Sequence, residues 1–253
     1  MDNIIKLFDE FEKIRNLGWI ESINKGYSSV GLTFEKLLGK EIENFEIPDY
    51  YGIEIKTKAY YARKYIPSIS LFHATPDGKY LFETKRLVET YGYPDKNDRN
   101  YKVLNVVCST QYRTKIGNGY SMQLKINYKE EKIYLKIYNQ HDILVDTETF
   151  WFFKTLEEKL YRKLKIVAYI KAQRKKINNI EHFRYQYIDF YKLKNFDEFI
   201  KLIENGKIVI TFKIGRFRTG KKRGQIHDHG TAFVINENAL EELYYKIPFI
   251  EYC

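Results

Sequence analysis

Cysteine is scarce in this sequence: it has only Cys108 and Cys253, and neither belongs to a C-x-x-C pair. Because zinc knuckles and disulfide frameworks are built from such spacings, neither is indicated. No apolar run approaches the roughly 18 residues that a membrane-spanning helix needs. The first residues, Met1-Asp2-Asn3, do not have the pattern of a secretory signal. We therefore expect a cytoplasmic protein that makes no membrane contact.

Acidic residues are outnumbered by basic ones, 33 against 43, which gives a net charge of +10. A basic surplus is typical of proteins that bind polyanions such as nucleic acids, although many soluble proteins are basic without such a partner. Hydrophobic residues make up 44% of the chain and charged residues 30%, which favours a packed core over disorder. The 253 residues are enough for one large domain or two small ones.

The apolar periodicity predicts helices that interrupt a largely antiparallel or mixed sheet, so the fold class is α/β or α+β. Gly39 and Gly206 are predicted to end helices, and Tyr91 to Asn100 is predicted to be a loop. The predicted helices cover 3–16, 31–38, 155–165, 196–205 and 239–245. The predicted strands cover 53–56, 103–107, 121–126, 133–137, 166–170 and 208–214.

A candidate catalytic site lies in the segment from Pro48 to Lys56, where acids and a lysine have the spacing P-D-x₄-E-x-K. Glu54 and Lys56 are two residues apart on a predicted strand, so their side chains share a face. A tight turn at residues 50–52 would bring Asp49 back to Glu54. Two carboxylates and the backbone carbonyl of Ile55 are the oxygen ligands that Mg²⁺ prefers. The pattern predicts phosphate chemistry in which Lys56 orients the nucleophile and offsets developing negative charge.

This segment also has a plain structural interpretation, because short motifs occur by chance. Glu54 and Lys56 could form an ion pair on a surface strand. Glu35 lies between apolar positions of a predicted helix, where a carboxylate usually has a partner. It is either a third acid that orients Lys56 or binds a metal through water, or a solvated residue paired with Lys36 or Lys40.

A second informative segment, 214–231, combines a run of cations with the triplet His227-Asp228-His229. Arginine and histidine can donate to guanine, and aspartate can accept from cytosine, so the triplet suits the reading of G·C pairs in the major groove. A solvated surface loop is the second interpretation. A zinc site at the histidines is the third, since no further Cys or His lies nearby in sequence. The cations of this segment are Arg216, Arg218, Lys221, Lys222 and Arg223.

The cations of these basic stretches are predicted to contact phosphates, which position a protein on DNA without specifying sequence. That prediction covers Lys221, Lys222 and Arg223 of the loop. It also covers Lys163 and Lys165 of the basic helix, for which an exposed helix face is the alternative.

The sequence resembles the MvaI/BcnI-type restriction endonucleases, which are related to the MutH strand-nicking enzyme of mismatch repair. The matching segments are 31–38, 48–57, 151–165 and 220–233, in family order. The resemblance implies a PD-(D/E)xK nuclease fold with two lobes around a DNA cleft. We expect residues 1 to about 165 to hold the catalytic core and about 166–253 to contribute the recognition lobe.

The resemblance implies catalysis by Asp49, Glu54 and Lys56, with Glu35 in the preceding helix. It implies base recognition by His227, Asp228 and His229, with Arg216 and Arg218 beside them. Mg²⁺ is the implied cofactor, and Mn²⁺ is expected to substitute for it.

Members of the family act as monomers on short, nearly palindromic sites in double-stranded DNA and cut the two strands one after the other. CC(A/T)GG is the expected site, and CC(C/G)GG is the other site read in the family. Val234 stands where an arginine is expected, so the central base is left open. A cognate DNA methyltransferase is the expected companion, without a stable complex.

The other functions considered are a MutH-like nickase that needs a repair partner, and a sequence-specific DNA-binding protein without catalysis. The intact set of Asp49, Glu54 and Lys56 argues against the latter.

Overall fold

The computed structural model describes residues 2–26, 28–39, 47–60 and 68–248. Six α-helices and fifteen strands lie within these ranges, with a short 3₁₀ turn at Glu237–Ala239. The helices are α1 (Asp2–Asn16), α2 (Ser29–Leu37), α3 (Glu83–Tyr91), α4 (Phe153–Lys163), α5 (Phe196–Glu204) and α6 (Leu240–Leu243). The strands are β1 (Ile20–Glu21), β2 (Ile53–Tyr60), β3 (Ser68–His73), β4 (Tyr93–Pro94), β5 (Lys102–Cys108), β6 (Thr114–Lys115), β7 (Ser121–Asn127), β8 (Lys132–Tyr138), β9 (Leu144–Phe152), β10 (Ile166–Ile177), β11 (Ile180–Leu193), β12 (Ile208–Arg216), β13 (Ile226–Asp228), β14 (Ala232–Asn236) and β15 (Tyr244–Ile247).

The chain forms two compact units, and each is assembled from separate segments of the sequence. Unit 1 comprises Met1–Ile69, Leu160–Asn195 and Leu240–Cys253, and unit 2 comprises Ser70–Lys159 and Phe196–Ala239. The assignment of residues 1 to about 165 to a catalytic core and of about 166–253 to a recognition lobe stays a prediction. In unit 1, β10 pairs along the whole of β2 and joins the middle of the chain to its beginning.

Unit 1 is built on a five-stranded sheet in the order β1-β11-β10-β2, with β15 added to β11. Strand β10 is parallel to β2 and antiparallel to β11. The apolar faces of α1 and α2, including Phe11 and Phe34, pack on one side of this sheet. Ile53 and Ile55 of β2 belong to the same core. Since successive strand residues point to opposite faces, Glu54 and Lys56 point away from the helices.

Unit 2 contains a six-stranded sheet, β3-β14-β12-β5-β4 with β13 paired to β12, and a four-stranded antiparallel sheet, β6-β7-β8-β9. Its core is rich in aromatic rings. Phe233 stacks on Phe72 at a centroid distance of 5.0 Å and meets Trp151 edge to face at 5.9 Å. The Trp151 indole is fully buried and donates to the carbonyl oxygen of Ala74 at 3.0 Å, so its polar group is satisfied.

The mixed α/β class predicted from the sequence is confirmed, and each predicted strand is present. The helix predicted over 239–245 is wrong in extent, because only Leu240–Leu243 is α-helical. The residues from Tyr244 onwards form β15, whose backbone groups pair with the edge of β11. The loop predicted at 91–100 includes the two-residue strand β4. None of the helices in the described ranges is long and apolar enough to cross a membrane.

Candidate functional site

A tight turn brings Asp49 against the start of β2. Tyr50 and Ile53 exchange two backbone hydrogen bonds of 2.8 Å. Between them, Tyr51 and Gly52 have φ angles of 42° and 87°, as in a type I′ turn. The backbone N–H of Ile55 donates to Asp49 Oδ2 at 2.9 Å. The turn predicted at residues 50–52 is therefore present, and it places the Asp49 carboxylate beside the strand that carries Glu54.

Glu54 is a buried carboxylate held by two lysines. Its relative exposure is 2%, which excludes the surface-strand interpretation even though the predicted ion pair exists. Lys56 Nζ lies 2.7 Å from Glu54 Oε1, and Lys163 Nζ lies 3.4 Å from the same oxygen. The other oxygen, Oε2, is buried and has no hydrogen-bond partner among the described residues. A buried acceptor in this condition is costly, so this oxygen suits a positive or donating ligand.

The electrostatic surroundings of Glu54 point the same way. Burial raises its pKa above the ordinary value, Lys56 and Lys163 oppose the shift, and the nearby charge of Asp49 adds to it. The fully buried hydroxyl of Tyr244 also has no hydrogen-bond partner among the described residues. Its pKa is raised by burial and then by the charge of Glu54. Burial thus disfavours the anionic form of Glu54, and a bound cation would stabilise that form.

The donor chemistry fits a hard divalent cation. The described residues contain no group of three or more His, Cys, Asp or Glu that could hold a metal ion. A site at Asp49 and Glu54 therefore depends on backbone, water or substrate oxygens for its remaining ligands. Mg²⁺ commonly binds in this way, through one or two carboxylates and substrate phosphates, and the carbonyl of Ile55 is the predicted backbone ligand.

Glu35 lies in α2 and is half-buried. A Cβ placed on Gly31 would lie 3.6 Å from Glu35 Oε1 and 3.0 Å from Thr57 Oγ1, so this carboxylate and β2 meet near the start of α2. Burial raises the pKa of Tyr185, and the nearby charge of Glu35 raises it further. These neighbours place Glu35 next to β2, while its action on Lys56 or a metal stays a prediction. Lys40, its alternative partner, lies outside the described residues.

The basic segment around residue 220 forms a closed hairpin rather than a loose loop. Strands β12 and β13 pair so that Gly215 faces His227. Beyond them, the Phe217 N–H donates to the Gln225 carbonyl at 3.0 Å, and the Gly224 N–H donates to the Phe217 carbonyl at 2.8 Å. Residues 214–229 are called the basic hairpin below. Its tip carries three exposed cations, which are Lys221, Lys222 and Arg223.

The triplet His227-Asp228-His229 is held in place by local contacts. The His227 ring stacks on Phe217 at 4.2 Å and lies 4.0 Å from the His229 ring. Asp228 Oδ1 accepts from the Gly230 N–H at 2.8 Å. Burial lowers the pKa of His229, and the neighbouring His227 adds to the effect. The zinc interpretation gains no third ligand within the described residues.

The two arginines of the basic hairpin brace it. Arg216 donates from Nε to the Lys102 carbonyl at 3.1 Å and from Nη1 to the Gly224 carbonyl at 3.3 Å. Arg218 is 62% exposed and its Nη2 lies 3.4 Å from Asp95 Oδ2. Arg216 is therefore occupied in part by the fold, whereas the more exposed Arg218 is held by one weak ion pair.

The two basic residues predicted near α4 differ in position. Lys165 is exposed at the start of β10, which suits its predicted contact with phosphates. Lys163 lies instead beside the Glu54 carboxylate. The sequence did not predict that Lys163 and Tyr244 lie near Glu54. Neither residue is close to Glu54 in the chain, and no local pattern links them.

Comparison with known proteins adds independent information. The model of the MvaI/BcnI restriction endonuclease family matches residues 8–244. The chain belongs to this family. Among solved structures it is similar to the complex of restriction endonuclease MvaI with its cognate DNA substrate, with a TM-score of 0.90 and 30% identity over 98% of each chain. It is also similar to MvaI in the absence of DNA, with a TM-score of 0.61 and 28% identity over 98% of this chain and 97% of the other. A search of curated proteins gave no match.

Membership of the MvaI/BcnI family confirms the resemblance inferred from the sequence and the type of fold. The matched range includes the segment around Glu54 and the whole basic hairpin. The Glu54 cluster and the basic hairpin thus each belong to the region shared with these restriction endonucleases.

Proposed function

We propose that this chain is a type II restriction endonuclease that hydrolyses phosphodiester bonds in double-stranded DNA. The observation that carries the proposal is the buried Glu54 carboxylate, with one oxygen held by two lysines and the other without a hydrogen-bond partner among the described residues, in a chain of restriction endonuclease ancestry. This combination is consistent with a site that binds a metal ion through Glu54 and orients Lys56 next to the substrate.

In the proposed mechanism, Asp49, Glu54 and the carbonyl of Ile55 hold Mg²⁺, and Mn²⁺ can replace it. When bound there, the ion would polarise the scissile phosphate and lower the pKa of an attacking water. Glu54 holds the Lys56 ammonium in a defined position through their 2.7 Å contact. From there Lys56 orients the water and offsets the negative charge that develops on the phosphate. Glu35 supports this cluster from α2.

Sequence recognition is assigned to the basic hairpin. The stacked His227 and its neighbour His229 present ring nitrogens to base edges, and Asp228 accepts from cytosine N4. The exposed tip cations and Lys165 contact phosphates, while Arg216 and Arg218 lie beside the base-reading triplet. We propose CC(A/T)GG as the site, with CC(C/G)GG as the rival at the central base, where Val234 replaces an expected arginine.

We further propose that the enzyme works as a monomer. Because one chain carries one such site, the two strands are cut one after the other. Cellular DNA is protected by a cognate methyltransferase that forms no stable complex with the enzyme.

Digestion of a supercoiled plasmid tests the function directly. With Mg²⁺ we expect discrete fragments, and nicked circles that accumulate before linear DNA because cutting is sequential. Sequencing of the fragment ends gives the recognition site and the cut position. Lys56→Met and an EDTA-treated sample serve as controls without cleavage. Nicking that needs a repair partner would favour a MutH-like enzyme, and metal-independent specific binding without cutting would favour a DNA-binding protein.

Asp228→Asn tests the recognition half in a Lys56→Met background, which binds without cutting. Asparagine can still accept from the Gly230 N–H, but it replaces a pure acceptor by a group that also donates. We expect the preference for cognate over unrelated duplex to fall by about 1–3 kcal/mol, measured by competition binding. Lys222→Met is the matched control and should weaken binding to both duplexes alike. An unchanged preference in Asp228→Asn would remove this residue from base reading.

A further inference from the structure

A tight turn joins β10 to β11 at the end of unit 1 that the candidate catalytic residues do not occupy. The two strands stay paired as far as Ile177 and Ile180, the last cross-strand pair. The turn consists of Asn178 and Asn179, whose φ angles of 49° and 64° are those of a type I′ turn. Such a turn follows the twist of the strands and holds the end of the hairpin in one shape. Residues 175–180 are called the isoleucine tip below.

The isoleucine tip combines apolar and amide side chains on an exposed surface. Ile177 is 40% exposed and Ile180 is 43% exposed, so two large apolar side chains lie next to each other in contact with solvent. Asn178 and Asn179 between them are also exposed, and their amides can both donate and accept hydrogen bonds. The tip therefore offers an apolar pair and amide groups to the same ligand.

The charge of the isoleucine tip is positive. It contains Lys175 and Lys176 and no acidic residue. Lys175 Nζ lies 4.0 Å from the centre of the Trp19 ring, which holds this ammonium beside the hairpin. Glu181 is opposite Lys176 in the register, but its carboxylate is half-buried and forms an ion pair with Arg174, whereas Lys176 is exposed. This charge complements a polyanion.

The strands relate the isoleucine tip to the candidate active site within unit 1. Ala172 of β10 belongs to the core under the helices, so Lys175 and Ile177 point to the opposite face, which is that of Lys56. Lys56 pairs with Tyr169, and Ile177 lies eight residues beyond Tyr169 on β10. This separation is about 26 Å along the strand. Along B-DNA, the same distance corresponds to about eight base pairs.

We propose that the isoleucine tip enters the minor groove of the DNA that flanks the cleavage site. The inference rests on the proposed nuclease function and adds a DNA contact in unit 1 to those of the basic hairpin. Proteins that bind the minor groove combine cations and amides with apolar side chains that press on the base steps, and the tip has all three. Ile177 and Ile180 contact sugars and base edges, the asparagines bind groove acceptors, and the lysines bind phosphates. Because the groove pattern is degenerate, the contact adds affinity more than sequence choice.

The length of the DNA tests this assignment. In a Lys56→Met background, binding is measured for two duplexes with the same central cleavage site, one with roughly four flanking base pairs on each side and one with roughly fifteen. We expect Ile177→Ser/Ile180→Ser to weaken binding of the long duplex by about tenfold and that of the short duplex by less than about twofold. Lys175→Met/Lys176→Met should lower the slope of log K against log salt concentration by about 1.8, on the long duplex alone.

Ile5→Ser is the matched control for the isoleucine pair. Ile5 is 39% exposed and lies on α1, which covers the opposite face of the sheet, so both duplexes should bind as they do to the parent. Thermal unfolding confirms that each variant is folded. An isoleucine pair variant that binds the long duplex like Ile5→Ser, or that loses equally on both duplexes, would overturn the assignment.

Sedimentation of the free protein separates DNA from a second copy of the chain as the ligand of the isoleucine tip. Dimers that the Ile177→Ser/Ile180→Ser change abolishes, together with an unchanged preference for the long duplex, would assign the tip to self-association instead. If the parent binds neither duplex, the proposed nuclease function itself fails, which is a different result from a lost effect of length.

Discussion

Replacement of Glu54 by glutamine is expected to reduce the rate of DNA cleavage by about 10³-fold or more. Glutamine keeps the shape of the side chain but removes the negative charge that would hold a cation and that positions Lys56 at 2.7 Å. Single-turnover cleavage with enzyme in excess measures the chemical step separately from binding. Binding of the cognate duplex should change by only a few-fold, since the basic hairpin is untouched.

Glu10→Gln is the matched control for this prediction. Glu10 lies on α1, where its carboxylate is 40% exposed and forms an i,i+3 pair with Lys13. Glu10→Gln makes the same change of charge and shape outside the candidate site. Cleavage should therefore stay within about twofold of the parent, because exposed ion pairs contribute little to stability. A Glu54→Gln enzyme that cleaves at nearly the parental rate would show that this carboxylate holds no essential ion.

The raised pKa of Glu54 gives a second, activity-independent measurement. A carboxyl whose folded-state pKa lies above its ordinary value of 4.5 contributes stability below that value, and the contribution is lost as the pH rises through the folded-state pKa. Without divalent cations, Glu54→Gln should therefore be more stable than the parent at neutral pH, and the difference should shrink towards pH 4.5. Added Mg²⁺ should raise the Tm of the parent alone, because only its carboxylate pair binds the ion. Equal shifts in both proteins would contradict the assignment of the metal to Glu54.

Arg86→Met is expected to lower the free energy of unfolding by about 3–5 kcal/mol, the largest stability effect that we predict. Arg86 joins two carboxylates inside unit 2: it donates to Glu83 Oε2 at 3.0–3.1 Å and forms a short contact with Asp146. It also donates to Thr149 Oγ1 at 2.8 Å, and Tyr91 donates to Asp146 at 2.7 Å. Methionine fills a similar volume but leaves both buried acids without their cation.

Arg113→Met is the control for this loss. Arg113 pairs with Asp142 at 2.8 Å, but Asp142 is 80% exposed, so we expect a cost of about 1 kcal/mol or less. Urea unfolding can be followed through the fluorescence of Trp151, which is buried in unit 2, in a Trp19→Phe background. A loss for Arg86→Met no larger than that for Arg113→Met would mean that the buried network adds nothing net to stability.

Local features of the candidate site could be predicted from the sequence because they depend on adjacent residues. The alternation Ile53-Glu54-Ile55-Lys56 sets which side chains share a face, and the structure has that alternation. The turn before it was predictable from its short length and its glycine. The positive φ of Tyr51, 42°, was not predictable, because a bulky side chain in the left-handed region has a steric cost. The Tyr51 side chain is 76% exposed.

Features that depend on distant segments could not be read from the pattern. Lys163 reaches Glu54 because β10, which follows α4, pairs in register with β2. Tyr244 lies near Glu54 because the chain leaves α6 as a strand on β11, where periodicity predicted helix. The basic segment at residues 214–231 was recognised by its composition, but its hairpin pairing and ring stack depend on a register that glycine-rich sequence does not specify.

The interleaved construction of unit 1 has a consequence for protein synthesis. Ile53 and Ile166 are neighbours across β2 and β10, although 113 residues separate them in the chain. On the ribosome, the strand that carries Glu54 has no parallel partner until β10 has emerged, and the strand that begins at Tyr244 follows later still. Contacts of such long range form late in folding. A polypeptide that ends before β10 and Tyr244 therefore lacks the assembled Glu54 cluster.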